Sequence, residues 1–337
     1  MVGRAVFALL AAFGLASAAS AQGLPPPEPI EKVTDNVYKI FGGGGNTLVV
    51  VQSNGVTLVD TKMPGNGEAI LNEVKKVTDK PVVTIINTHS HPDHLGSNDA
   101  IRERYPNVQI IMHENTKKEL TAGPGTQAPA NLPTRTYTGE RLTLGQGAER
   151  IEIFHTGKGH TDGDSFVVIP SAGVLFMGDV MAWNMAPFLP AGGAVEIADE
   201  VEKLVATVKD MNIRYVIEGH GHVNTWEGLE RFSRFNRALI NEARAAFDRG
   251  DAPGVAVAKL QQNPDFAILL DTNIKKGLEY GNTPLARAHM NVNVAYAEFA
   301  GEPVGFAVAN GGPLPATDKH KGSDPKDTAP PPRAPAP

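Results

Sequence analysis

The sequence predicts an α/β fold, a layered domain over residues 30–230 followed by a helical extension over 231–305. Three observations predict it. Short apolar runs rich in Val and Ile alternate with segments of helical periodicity, as expected of a sheet covered by helices. Past about residue 230 the strand pattern stops and only helical spacing remains. His and Asp also recur just beyond predicted strands, where the loops of an α/β sheet converge on a site.

The elements follow in chain order. Two β-like runs, 37–41 and 47–51, are joined by Gly42-Gly43-Gly44-Gly45-Asn46, which reads as a hairpin with a pliable loop. A third run, 56–59, ends at Asp60. Ile70, Leu71, Val74 and Val77 recur at helical spacing, and Pro81 closes that helix. The run 82–86 is a buried strand leading into a histidine cluster. A helix starts near Asn98, followed by a strand at 108–112. Residues 121–139, rich in Gly, Pro and Thr, read as one long loop of the kind that forms lids. Strands follow at 151–154, 166–169 and 174–177. Ile197, Val201, Leu204, Val205 and Val208 mark a second amphipathic helix, and 214–217 is the last strand of the series. Helices are then expected at 229–249, 255–261 and 283–300. The last of these has Thr283 as N-cap, Pro284 in the first turn and Gly301 just past its end.

Both ends read as something other than fold. Arg4, the apolar run 5–16 and Ala19-Ser20-Ala21 have the order of a secretory signal peptide, expected over 1–21. No cysteine follows that would carry a lipid, so the expected product is periplasmic, without a membrane anchor after cleavage. Pro25-Pro26-Pro27-Glu28-Pro29 is an extended spacer. The segment 311–337 is Pro-, Ala- and charge-rich without periodicity and is expected to be disordered.

Composition narrows the partners. The chain has a formal charge of −6 and no Lys/Arg stripe interleaved with aromatics, which excludes an ordinary nucleic-acid surface. A small-molecule substrate is expected instead, and the sequence leaves oligomeric state open. There are no cysteines, so any metal must be held by His and carboxylate.

Such donors are concentrated in His89-Ser90-His91-Pro92-Asp93-His94. In an extended segment His89 and His91 point the same way, and Pro92 then turns the chain so that Asp93 and His94 approach from another side. Imidazole suits zinc and the carboxylate adds a harder ligand. Three further donors share the topology: His160 in Gly159-His160-Thr161-Asp162-Gly163-Asp164, Asp179 after Leu175-Phe176-Met177-Gly178, and His220 after Val216-Ile217-Glu218-Gly219. Trp183, Asn184 and Phe188, just after Asp179, and His222, just after His220, are candidates to line a substrate pocket. His113 and His155 read as structural.

With Asp60, the 89–94 cluster, His160, Asp179 and His220 in this order, the chain resembles the metallo-β-lactamase superfamily over roughly residues 30–230. The resemblance implies a four-layered αβ/βα sandwich with metals at one edge. By position, His89, His91 and His160 would bind one metal, and Asp93, His94 and His220 the second. Asp179 would bridge them, as in glyoxalase-like members. Asp60 would orient the ligand loop from outside the ligand set or hold a turn. Two Zn2+ are the expected cofactors, with iron or manganese as alternatives. At about 3.5–4 Å apart such ions hold a bridging hydroxide near neutral pH, and Asp93 is the expected catalytic proton carrier.

The function expected on this basis is an exported zinc hydrolase acting on an ester, thioester, lactone or amide. A β-lactamase of the dizinc, thiolate-free type is the first alternative, although that type usually lacks a carboxylate at the Asp179 position. An iron-dependent persulfide dioxygenase-like enzyme is the second, and a non-catalytic periplasmic binding protein a third. Flavodiiron members carry Glu where this chain has His91. Nuclease activity is opposed by the acidic charge.

Overall fold

The computed structural model describes residues 26–122, 129–271 and 283–310. The expected signal peptide and Pro-rich tail lie outside them, as do 123–128 of the expected long loop. Among the described residues no helix is long and apolar enough to cross a membrane.

Two sheets face each other. The first has seven strands in sequential order: β1 (Glu31–Lys32), β2 (Val37–Ile40), β3 (Thr47–Gln52), β4 (Gly55–Val59), β5 (Val82–Ile86), β6 (Gln109–His113) and β7 (Arg135–Tyr137). Its first four strands form an antiparallel meander and β4 to β7 are parallel. The second runs in the order β13-β12-β11-β10-β9-β8, from β8 (Arg141–Leu144), β9 (Ile151–Phe154), β10 (Phe166–Ile169), β11 (Val174–Phe176), β12 (Tyr215–Ile217) and β13 (Val223–Asn224). Here β11 and β12 are parallel and the other pairs antiparallel.

Strand periodicity assigns each apolar side chain to a layer, because successive residues point to opposite faces. Leu48, Val50, Val59, Ile86 and Ile111 of the first sheet meet Ile153, Val167, Ile169, Val174, Phe176 and Ile217 of the second. The alternate residues Val49, Leu58, Ile85 and Ile110 turn outward. They pack on α1 (Gly67–Val74), α2 (Pro92–Leu95), α3 (Asn98–Arg104) and α4 (Glu114–Thr121) through Ile70, Leu71, Leu95, Ile101 and Leu120. Phe166, Val168, Leu175 and Val216 face the opposite outer layer. That layer comprises α5 (Ile197–Val208), α6 (Trp226–Arg249), α7 (Pro253–Leu260) and α8 (Pro284–Ala300), with the short α9 (Phe306–Ala309) packed on α8. The result is the expected αβ/βα sandwich. Covering both faces of each sheet explains why its strands read as continuous apolar runs.

The punctuation of the last helices follows the sequence. Thr225 Oγ1 accepts the Gly228 N–H at the start of α6, and Thr283 Oγ1 accepts that of Ala286 at the start of α8. Gly250 and Gly301 end these helices at φ 78° and 72°, a left-handed conformation that glycine adopts without strain.

Two expectations are corrected. The stretch 121–139 is not one long loop: its described part contains a 3-10 turn at Pro129–Asn131 and the edge strand β7, whose Tyr137 hydroxyl bonds Ser165 Oγ at 2.8 Å. β7 has only three residues, Arg-Thr-Tyr, too few to show alternation. The glycine loop 42–45 is also not pliable. Gly42 to Gly45 are buried, and Lys62, itself fully buried, donates from Nζ to Ile40 O at 2.8 Å and Gly45 O at 2.9 Å. The Met63 N–H and the Asn66 amide both donate to Gly43 O, and the Gly45 N–H donates to Asp93 O. The loop is a fixed floor beneath the histidine cluster.

Candidate metal centre

β4 and β5 are parallel, so Asp60 and the 89–94 segment leave the first sheet at one edge. β9, β11 and β12 run parallel to one another in the second sheet and bring the loops of His160, Asp179 and His220 to that edge. Asn46, at the start of β3, ties the two sheets together there. Its N–H donates to Gly219 O at 2.7 Å, and its Nδ2 donates to Glu218 O at 2.9 Å and Gly221 O at 3.1 Å.

The seven donors predicted from the sequence converge in two groups. One is His89, His91 and His160; the other is Asp93, His94, Asp179 and His220. Within each group the ligand atoms lie within 4.8 Å of one another. Asp179 sits between the groups. Its Oδ1 is 3.1 Å from His94 Nε2, and its Oδ2 is 3.4 Å from His220 Nε2 and 3.8 Å from His160 Nε2. Asp93 Oδ2 lies 3.1 Å from His220 Nε2.

The surrounding hydrogen bonds determine which ring nitrogens face inward. Asp60 accepts the Thr88 N–H at Oδ1 (2.8 Å), and at Oδ2 it accepts both the Thr88 hydroxyl (2.7 Å) and His94 Nδ1–H (2.7 Å). Thr88, having donated its only hydroxyl proton, accepts His89 Nδ1–H at 2.9 Å. His160 Nδ1–H donates to Phe188 O at 2.6 Å. His89, His94 and His160 are therefore each held through Nδ1, with Nε2 directed at the cluster. Asp60 thus fills both roles the sequence left open: it orients a ring and, at φ 61°, turns the chain out of β4.

These residues fit a metal. His89 Nε2 is buried without a hydrogen-bond partner, a costly state for an acceptor unless a cation occupies its lone pair. His160 Nε2 faces His91 Nδ1 at 2.9 Å, and His94 Nε2 faces His220 Nε2 at 3.3 Å, so imidazole nitrogens from three separate loops converge on one small volume. Burial pushes His89 well below the usual histidine range, and burial with the neighbouring His91 pushes His160 down to about 3. Both rings are neutral at physiological pH, as ligation requires. Burial also pulls on His94, but Asp179, Asp60 and Asp93 outweigh it and raise this ring to about 10. Metal uptake must displace that proton.

Beside the cluster lies a cavity of about 200 Å³. His91, Pro92, Asp93, His160, Asp179 and His220 form its metal-facing side, and Ala182, Trp183, Phe188 and Arg287 complete the lining. Of the four pocket candidates, Trp183 and Phe188 line it and two do not. Asn184 sits in a left-handed turn, where its N–H donates to Glu218 Oε2 at 2.8 Å. His222 stacks on Phe41 instead. His113 and His155 stack on each other, 3.9 Å between centroids, away from the donor groups.

Arg287 and Ala182 escaped sequence reasoning. Arg287 is carried by α8, more than 60 residues past the last donor, and nothing in its local pattern separates it from a surface arginine. The same helix grips the loop that carries Phe188, since Glu298 accepts the Gly193 N–H at 2.6 Å and the Val195 N–H at 2.9 Å.

A second buried carboxyl lies behind the His160 loop. Glu200 on α5 is 1% exposed, neither oxygen has a hydrogen-bond partner, and burial with the nearby Asp164 raises its pKa well above 4.5. In the unfolded chain this carboxyl ionises normally, so folding is penalised as pH rises from about 4.5 toward the raised folded value. Glu200→Gln is expected to be nearly neutral at pH 4. Relative to the parent it should gain up to about 1.4 kcal/mol per pH unit across that window. Denaturant melts from pH 4 to 8 check this, and a constant offset across the range would contradict it.

Comparison with known proteins agrees with this geometry. Residues 40–220 match the model of the metallo-beta-lactamase superfamily. The 2,4-dinitroanisole O-demethylase subunit alpha of Nocardioides sp. (strain JS1661) is 31% identical over 170 residues, covering 48% of this chain but only 50% of that protein. The metallo-beta-lactamase type 2 of Elizabethkingia meningoseptica is 28% identical over 234 residues, 65% of this chain and 89% of the relative. Among solved structures, the DIM-1 metallo-beta-lactamase exposed to ceftazidime superposes with a TM-score of 0.55 at 19% identity, over 64% of this chain and 99% of that one, which speaks for the fold. With donor groups, sandwich and family match in agreement, the chain belongs to the metallo-beta-lactamase superfamily and carries a His/Asp cluster that fits a divalent metal.

Proposed function

We propose that the chain is an exported, dinuclear zinc-dependent hydrolase that cleaves an ester, thioester, lactone or amide bond of a small molecule in the periplasm. The observation that carries this reading is Asp179, whose two oxygens address histidines of both donor groups. His89, His91 and His160 would hold one ion, and Asp93, His94 and His220 the other, with Asp179 shared. When bound, such ions ionise water near neutral pH and polarise the oxygen of the scissile bond.

The chain's own residues do the rest. Asp60 and Thr88 lock the rings of His94 and His89, and Phe188 O locks His160, so the donor set is preorganised. Asp93 lines the cavity, and its carboxylate takes up the proton released by the attacking water and returns it to the leaving group. Trp183 and Phe188 present apolar surface to the substrate and exclude water from that side. The order Arg4, apolar run, Ala19-Ser20-Ala21 supports export.

The relative from Elizabethkingia supports a second reading, a β-lactamase. The test is metal quantification on the purified chain, coupled to a panel of β-lactams, lactones, thioesters, sulfate esters and phosphodiesters. Two equivalents of zinc with turnover of a carboxylic ester, thioester, lactone or amide are expected. Nitrocefin turnover above that of Asp179→Ala would select the β-lactamase reading. Stoichiometric iron with oxygen uptake would overturn both in favour of a dioxygenase.

A further inference from the structure

The proline spacer ahead of the first strand is docked, and it is docked on the glycine loop. Of residues 26–29 three are prolines, which have no N–H to satisfy. The one N–H of the stretch, that of Glu28, donates to Phe41 O at 2.7 Å, at the entry to the loop. Next along, the Ile30 N–H donates to Glu73 Oε2 on α1 at 2.9 Å, and the Ile30 side chain packs on the outer core there.

The four glycines of the loop divide between two neighbours. A carbon added at Gly42 would lie 2.4 Å from Pro26 O, and one at Gly43 would lie 2.9 Å from Pro27 Cγ and 3.0 Å from its Cδ. A carbon added at Gly44 would instead lie 2.9 Å from Asp93 O and 3.1 Å from Asp93 Cβ, and one at Gly45 would meet the His94 ring. The loop is thus a single layer of backbone. The prolines lie against one part of it, and two donors of the Asp93–His94–Asp179–His220 group against the other. Lys62, Met63 and Asn66 grip this layer at Gly43 O and Gly45 O, whereas the nearest atoms to a side chain at Gly42 all belong to Pro26 and Glu28.

We propose that residues 26–30 are a strap that positions Asp93 and His94 for the second metal, filling the outer side of the glycine loop so that it cannot retreat from them. Prolines suit this task, because their fixed φ leaves little chain freedom to be lost on docking. The proposal rests on the two-metal reading for the number of ions. The hold on the loop itself is measurable in the metal-free chain.

The test compares the full chain with Pro27→Gly/Glu28→Pro, which removes the ring over Gly43 and the N–H on Phe41 O. Glu28→Ala is the control, because it keeps the N–H and loses only an exposed side chain. In a calorimetric zinc titration the double variant is expected to bind the second equivalent about 10-fold more weakly, with the first within about twofold of the parent. In the metal-free chain the Gly45 N–H, bound to Asp93 O, and the Met63 N–H, bound to Gly43 O, should exchange with solvent about 10-fold faster. Amides of β9 and β10 should keep their parental rates, and Glu28→Ala should match the parent in both measurements.

Parental affinity for both zinc equivalents in the double variant would overturn the proposal. So would equal weakening of both equivalents, or faster exchange that extends to β9 and β10, since either would make the strap a general support of the fold. An equal loss in Glu28→Ala would overturn it too, by assigning the effect to the side chain. A parent that takes up one zinc only, with exchange at Gly45 and Met63 still raised in the double variant, would sustain the strap and overturn the two-metal reading instead.

Discussion

Asp179→Ala is expected to lower turnover about 10³-fold or more, on the order of 4 kcal/mol of barrier, and to halve the bound metal. Among the described residues it is the carboxylate that reaches both donor groups, facing His94 and His220 on one side and His160 on the other. The remaining donors of its own group, Asp93, His94 and His220, would lose the anion that draws a second cation next to the first. The chain around it is shaped to its carboxyl. A side chain on Gly219 would place its first carbon 2.1 Å from Asp179 Oδ1, so the loop after β12 can close on the carboxyl only as glycine. Asp179→Asn keeps that shape without the charge and is expected to fail nearly as badly, which separates electrostatics from packing. Metal content by mass spectrometry and kcat on the best panel substrate are the measurements. Two retained equivalents with kcat within about tenfold of the parent would refute the bridging role.

The legible part of the site was legible for a topological reason. A parallel pair of strands delivers its following loops to one edge, so Asp60 and the 89–94 cluster, or Asp179 and His220, can be grouped from strand ends alone. The inter-sheet and outer cores could be read because strands such as Thr47–Gln52 are covered on both faces and Ile197–Val208 on one. What could not be read were contacts between elements far apart in sequence. Arg287 lines the cavity and Glu298 holds the Gly193–Val195 loop because α8 packs on α6 and α7, and their spacing on α8 does not encode that. Short or polar elements were missed as well: β7 and β8 are partly exposed edges, and Glu114–Thr121 buries only Thr116 and Leu120. The glycine loop was misread for the opposite reason. Four consecutive glycines are the composition of a flexible linker, yet here the missing side chains leave room for a neighbour.

That neighbour is His94, and Gly45→Ala is accordingly expected to be among the most damaging single substitutions in the chain. A carbon added at Gly45 would meet His94 Cε1 at 2.2 Å, Nε2 at 2.6 Å and Nδ1 at 2.7 Å, all far inside contact distance. The ring has nowhere to go, because its Nδ1–H is bound to the fully buried Asp60 at 2.7 Å. The loop cannot retreat either, with Lys62 Nζ on Gly45 O and the Gly45 N–H on Asp93 O. Either His94 swings off Asp60 or the floor lifts away from Asp93, and both displace a donor of the Asp93–His94–Asp179–His220 group. Losing one oriented ligand should cost about 100-fold or more in affinity for the second metal, beyond the 10–100-fold typical of disturbing an outer hydrogen bond. Overpacking should cost the metal-free fold only about 1–3 kcal/mol, because the three apolar cores lie elsewhere. The metal-free variant should therefore still melt cooperatively, a few degrees early, while a zinc titration shows one tight equivalent where the parent shows two. A variant that binds both equivalents with parental affinity would show that the glycine floor does not set the position of His94.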